Sequence, residues 1–230
     1  MSQHNRLEEQ FVAEQNKTRR RRANGEESRR RILDAAAEVA TERGYEGTSI
    51  ALVSKKSGLP ASSIYWHFTD KDELIAAVIE RSFGAWLEAW TVPEGDSERE
   101  RIGSLAMQIA KALLDSPDFM RLGLMLALER RPVEPSARAV FLRVRGEARN
   151  HLITAAREFA PDLSAESIEL LATYAMATAD GLFIAKELGG DSVDLLALFE
   201  LHAHALLDAA QRLRSAEEAR PGRRAADVRD

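Results

Sequence analysis

Cysteine is missing from all 230 residues, which excludes a disulfide framework, thiolate catalysis and any zinc site built on cysteine. No apolar run reaches the roughly 20 residues that a bilayer span needs, and the N-terminus is too polar for a signal peptide. The expectation is a cytoplasmic protein with no membrane contact. Convincing apolar–polar alternation is lacking throughout, so no strand is expected, and there is no internal repeat. Neither a glycine-rich phosphate cradle, nor a Ser-His-Asp set, nor paired carboxylates stand out, so the chain does not read as an enzyme and no cofactor is expected. His202 and His204 lie two apart and would point to different sides of a helix, whereas metal-binding pairs favour four, so no metal site is expected.

What remains is helical. Hydrophobic residues make up 45% of the chain and charged ones 30%, the balance of a soluble globular protein with room for one or two domains and a sizeable core. A net charge of -5 conceals an asymmetry. Between Lys17 and Arg31 eight basic residues face two acidic ones, whereas from Lys71 onward there are 20 basic and 27 acidic. A basic front on an acidic body can orient a protein toward nucleic acid without making all of it adhesive.

Residues 1–25 lack apolar periodicity and read as a disordered arm, whose Arg19–Arg22 cluster suits phosphates, a narrow minor groove or simple solvation. Ile32, Leu33, Ala36, Val39 and Ala40 then recur at helical spacing over 26–43. Further helices are expected near 71–90, 97–114, 118–129, 136–159, 164–188 and 193–213, separated by proline or glycine punctuation at 93–97, 116–117, 131–135, 160–162 and 189–191. The 71–90 helix carries Ile75, Ile79, Phe83, Trp86 and Trp90 on one stripe and would form a rod about 30 Å long. The tail from 214 to 230 reads as frayed. Over 170–185 the sequence is apolar or small on every side, and the last helix is apolar on more than one side. Either the 170–185 helix is central within one copy, or one face meets its own core and the other a second copy; the second is favoured, because two such helices from each of two chains suit a four-helix interface.

The most informative stretch lies between Gly44 and Leu74. Thr48 or Ser49 can cap a short helix with Ile50, Leu52 and Val53 on its apolar side. Gly58 can close that helix in the left-handed conformation, and Pro60 suits the first turn of the next. The second helix, near 61–67, is too short to be stable alone. Ile64 and Phe68 can plug a core and leave Ser62, Ser63, Tyr65, Trp66 and His67 facing outward. Asp70 and Glu73 form a plausible capping pair for the next helix. A helix, a glycine turn and a second short helix make the helix-turn-helix pattern, in which the second helix enters the DNA major groove.

Gly44-Tyr45, Thr48-Ser49, Gly58-Leu59, Ile64-Tyr65-Trp66-His67-Phe68 and Lys71 through Leu74 together resemble the DNA-binding domain of the tetracycline-repressor (TetR) family. Ser54 and Ser57 stand where that family usually has Ala, Pro60 where it has Ser, and Ser62 where Gly is frequent. The resemblance implies an all-α fold: a helix-turn-helix domain over 26–75, joined by a long helix to a ligand-binding and dimerisation domain over 76–213. It implies phosphate contacts at Thr48, Tyr65, His67 and Lys71, and base-reading or groove-facing roles at Ser62, Ser63 and Trp66, although Trp66 can also merely pack. The implied partners are a palindromic double-stranded DNA operator, a second copy of the chain and a small, largely apolar ligand that releases a repressor; control by a protein partner is the alternative. The implied cavity draws its candidates from Trp86, Met107, Phe119, Met125, Phe141, His151, Tyr174, Thr178, Asp180 and Phe183. An acid inside an apolar helix must be paired or functional, so Asp180 either meets an arginine such as Arg143 or Arg149, lies at the dimer seam, or faces the ligand.

Overall fold

The computed structural model describes the backbone of residues 3–88, 97–129 and 134–219, and side chains over the same ranges apart from 3–21, 85 and 88. Trp90, most of the 93–97 and 131–135 breaks and the end of the tail lie outside the described residues. Within them the chain forms only helices: α1 (Gln3–Gly47), α2 (Ile50–Ser57), α3 (Ala61–His67), α4 (Lys71–Glu88), α5 (Glu98–Asp115), α6 (Asp118–Leu128), α7 (Ser136–Phe159), α8 (Ala165–Gly189) and α9 (Leu195–Glu218), with a short 3-10 turn at Gly190–Ser192.

The main difference from expectation is at the N-terminus, where α1 continues as helix back to Gln3. Residues 3–24 contain no proline or glycine and are rich in Arg, Gln and Glu. Intrinsic propensity therefore favours helix there although apolar periodicity is absent. At the other end Gly44 breaks the helix with φ 67°, a conformation that would strain any residue with a Cβ. The last helix also exceeds its expected end at 213. Arg214 reaches Glu98 and Asp162, and the Glu217 carboxylate accepts from Ser164 N at 3.2 Å and from Ser167 Oγ at 2.6 Å. One turn of α9 thus caps the start of α8, which is why it does not fray.

The chain divides into two compact units. One comprises residues 1–81 and 118–141, and the other 82–117 and 142–230. The helix-turn-helix therefore shares its unit with α6 and the first turns of α7, a larger assembly than the 26–75 segment marked in the sequence. Ile32 and Leu33 of α1, Val53 of α2, Ile64 and Phe68 at α3, and Leu74, Ile75 and Ile79 of α4 are all buried in it. Each large side chain so buried is worth about 1.5–3 kcal/mol. Gly123 of α6 has no side chain because the Phe141 ring occupies that space, and Phe141 is itself fully buried.

In the second unit α9 packs along α5 and α8. Its core includes Ile153, Leu163, Ile168, Leu171, Ala172 and Ala210, with Phe183 and Phe199 also buried. The segment Ala165–Ser192 has the length and apolar composition of a membrane span, but inside this unit it buries Ile168, Leu171, Ala172 and Phe183. Leu170, Tyr174, Ile184 and Leu188 of α8 and Leu201 of α9 stay exposed.

Candidate nucleic-acid interface

Ser49 is the N-cap of α2, its Oγ accepting the amide of Leu52 at 3.3 Å. At the other end Gly58 takes φ 67° and ψ 18°, and its N–H closes the helix on the Ser54 carbonyl. Pro60 lies one position earlier than expected, as the N-cap of α3 in extended conformation, where its carbonyl accepts from Ser63 N at 2.9 Å. Serines at 54 and 57 fasten this turn. The hydroxyl of Ser54 donates to the Leu59 carbonyl at 2.7 Å, and Ser57 Oγ accepts from Leu59 N at 3.3 Å. Arg31 then donates to the carbonyl of Ser57 at 2.7 Å, tying α1 to the end of α2. At the start of α4, Asp70 accepts from Glu73 N at 2.8 Å while Glu73 reaches back to the amide and hydroxyl of Thr69. The capping pair therefore forms as a reciprocal box.

Seven residues long, α3 is held by Ile64 at 0% exposure and by Phe68 just beyond it at 3%. With these turned inward, Tyr65 and Trp66 are 57% and 76% exposed. Ser62 is exposed, and Ser63 and His67 are half-buried. His67 meets the Trp66 ring edge-on at 4.5 Å between centroids. Its pKa is lowered, first by burial and then by the nearby charge of Arg29. A neutral imidazole at the end of α3 can donate one hydrogen bond and accept another.

Two of the anticipated phosphate contacts are engaged within the protein. Thr48 is buried, and its hydroxyl donates to the Gly44 carbonyl at 2.7 Å, which assigns it to the chain reversal after α1. The Lys71 ammonium donates to the Tyr45 carbonyl at 3.1 Å, lies 4.3 Å from the Tyr45 ring centroid and is 3.8 Å from Glu46. Sequence reasoning did not single out the neighbouring Asp72. Its carboxylate accepts from the Tyr45 hydroxyl at 3.1 Å, from both N and Oγ of Ser136 at 2.5 Å and from Ala137 N at 3.1 Å. It thereby caps α7 from the start of α4. Burial alone would raise its pKa, but these hydrogen bonds outweigh burial and hold the carboxyl below its usual range. The only signal available in the sequence was an acid in the first turn of a helix, which is commonplace.

Residues 32–78 match the family model described as bacterial regulatory proteins, tetR family. That segment is similar to the DNA-binding domain of the TetR family. An HTH-type transcriptional repressor of Mycobacterium tuberculosis is 30% identical over 99 residues, covering 43% of this chain and 38% of that protein. The HTH-type transcriptional repressor KstR of Rhodococcus jostii is 29% identical over 91 residues, covering 40% and 43%. The chain thus spans less than half the length of these curated relatives. Among solved structures, the fatty acid degradation regulator FadR of Bacillus halodurans superposes with a TM-score of 0.65 at 19% identity, over 78% of this chain and 94% of that one. FadR of Bacillus subtilis, solved with stearoyl-CoA, gives 0.65 at 19% identity over 78% and 97%. At that identity the likeness shows the TetR fold alone.

The ligand candidates suggested by TetR resemblance divide between the two units. Phe119, Met125 and Phe141 belong with the helix-turn-helix, and the others belong to the second unit. Phe119 and Phe141 are core, with ring centroids 5.7 Å apart, and Met125 borders a recess about the size of a water molecule, beside Ala40, Val78 and Arg121. Trp86 and Phe183 are buried, Met107 and Thr178 half-buried, and Tyr174 and His151 exposed. Asp180 is paired, but with Arg145 rather than Arg143 or Arg149. Both carboxylate oxygens accept from that guanidinium, one at 3.0 Å and the other closer. Arg143 pairs instead with Glu147 at 2.8 Å and Arg149 with Glu169 at 3.4 Å. Positions 145 and 180 are linked only by the packing of α7 against α8, which is not a local pattern.

Proposed function

We propose that this chain is a homodimeric transcriptional repressor that reads a two-fold-related DNA operator with α3 and releases it when a small, largely apolar molecule binds the second unit. The carrying observation is α3 itself, a helix too short to persist alone, anchored by Ile64 and Phe68 and presenting a mostly exposed tyrosine and tryptophan. Such tips are poorly placed for water but suit phosphate, sugar and base-edge contacts. Ser62, Ser63 and Trp66 form the reading set, and Tyr65 and His67 flank it as phosphate contacts. Lys71 supplies its charge beside Tyr45, and Thr48 shapes the turn beneath.

The exposed apolar positions Leu170, Tyr174, Ile184 and Leu188 lie within about 80° of one another around α8 at about 100° per residue, and Leu201 adds to them from α9. A stripe of this kind supports a bundle between two copies. Two copies are also what recognition requires, because one two-turn helix contacts too few base pairs to select a site, whereas two about 34–36 Å apart read successive major grooves. Effector release needs a ligand with different affinities for the DNA-competent and DNA-incompetent states, not merely a tight one.

Selection of bound fragments from random genomic DNA by the full chain tests the central reading, with enrichment of one two-fold-related sequence expected. Recovery of unrelated fragments at equal frequency would refute it. With a selected duplex, Lys71→Ala should lower the salt slope of binding by up to about one per subunit. An unchanged slope assigns Lys71 to its Tyr45 contacts alone.

A further inference from the structure

Between α2 and α3 the chain turns on Gly58, Leu59 and Pro60, and the direction in which α3 leaves α2 depends on their backbones. Gly58 stands at φ 67° and ψ 18°, and Pro60 at φ -64° and ψ 152°. The proline ring fixes its own φ and confines the residue before it to extended conformations. Glycine does the opposite, being the most permissive residue a turn can contain. The turn that aims α3 therefore holds a soft joint beside a stiff one.

Leu59, between the two, is gripped by side chains of α2. Ser54 Oγ donates to its carbonyl at 2.7 Å, and Ser57 Oγ accepts from its N–H at 3.3 Å. Ser57 is buried, and its hydroxyl donates onward at 3.3 Å to the Ser54 carbonyl, which also accepts from Gly58 N at 3.1 Å. The Ser57 carbonyl in turn accepts from Arg31 of α1 at 2.7 Å, and that guanidinium lies 3.5 Å from where a Cβ on Gly58 would be. A connected set of hydrogen bonds thus runs from α1 through the end of α2 to both polar groups of one peptide residue. Alanine, usual at positions 54 and 57 in the TetR DNA-binding domain, could make neither bond to Leu59.

We infer that Ser54 and Ser57 are positioning residues for operator reading, which hold Leu59 and so fix the angle at which α3 presents Ser62, Ser63 and Trp66 to base edges. This role rests on the DNA-binding reading of α3 and adds to it two residues that act without touching base or phosphate. Hydrogen bonds to base edges weaken steeply as distance and angle depart from ideal, whereas attraction to phosphate charge declines slowly with distance. Loosening the turn therefore impairs the choice of sequence and spares general adhesion to duplex.

The test compares full-chain affinity for two probes across a salt series, a duplex selected from genomic fragments by the unaltered protein and a duplex of mixed sequence. Ser54→Ala and Ser57→Ala should each weaken binding to the selected duplex by about fivefold to tenfold and binding to mixed sequence by less than about twofold. The slope of log affinity against log salt should stay as it was on both probes, because no phosphate contact is lost. Since both serines hold the same residue, the double variant should lose less than the product of the two single losses. Ser54→Thr, which keeps the hydroxyl, should retain the unaltered ratio between probes. Circular dichroism at the binding temperature checks that each variant keeps its helices. If the alanine variants bind both probes as the unaltered protein does, or lose affinity for both equally, the serines serve the fold alone and their positioning role is overturned while that of α3 stands. A changed slope also overturns it, because phosphate contacts would then have moved with the serine. An unaltered protein with no preference between the two duplexes overturns both readings.

Discussion

Asp72 is a single carboxylate on which burial and hydrogen bonding oppose each other, and hydrogen bonding prevails. Its lowered pKa has a definite sign. The stability it contributes is fully present above the pKa of an unfolded aspartate and is lost as pH falls through the lower folded value. Asp72→Asn should therefore lower the melting temperature near neutral pH and flatten its acid-side pH dependence, read by thermal unfolding across a pH series. An unchanged acid limb would assign that dependence to other carboxylates. At Asp180 the Arg145 guanidinium would lose its partner, and with both side chains only partly exposed the cost of Asp180→Ala is put at about 1–3 kcal/mol in denaturant unfolding. Residue roles were the hardest to read from sequence. The need for a partner at Asp180 was evident from its apolar surroundings, but its identity depends on contacts 35 residues distant, and Asp72 carried no mark of its task.

At the scale of elements the sequence was far more legible, because capping residues, glycine turns and the 3.6-residue repeat act locally. The ends of α2, α3, α6 and α7 fall within a residue or two of expectation. The exceptions have physical causes: α1 is prolonged by propensity without periodicity, and α9 by long-range contacts of Arg214 and Glu217. Close approach of α6 and α7 at Gly123 likewise leaves no local trace. Gly123→Ala should force the Phe141 ring aside at a cost of about 1–3 kcal/mol, and combining it with Phe141→Leu should restore part of that loss. A double variant that is simply additive in chemical denaturation would show that the two positions do not compete for the same space. At Gly58, where φ is 67°, alanine should cost about 1–2 kcal/mol by strain in the turn before α3.

For the whole molecule, the all-round apolarity of 170–185 indicated that α8 has more than one packed side, and the second unit satisfies one of them. Leu188 is the most exposed of its large apolar residues, at 85%. On the proposed two-copy arrangement, Leu188→Glu with Leu201→Glu should shift the protein from dimer to monomer in sedimentation velocity while the helical signal persists, and should weaken binding to the proposed operator without altering α3. A variant that stays dimeric would place the interface elsewhere. Division into two units was less legible than the helices themselves, because assigning α6 and the first turns of α7 to the helix-turn-helix depends on packing between segments far apart in the chain.

The tethering of α2 and α3 by Arg31, Gly58, Ile64 and Phe68 also bears on kinetics. On the proposed function, a reading helix already in its final shape has no coupled folding step to complete at each encounter, so incorrect sites are sampled quickly and left as quickly. Residence time, set by the fit of a few side chains, then distinguishes the operator from the rest of the genome.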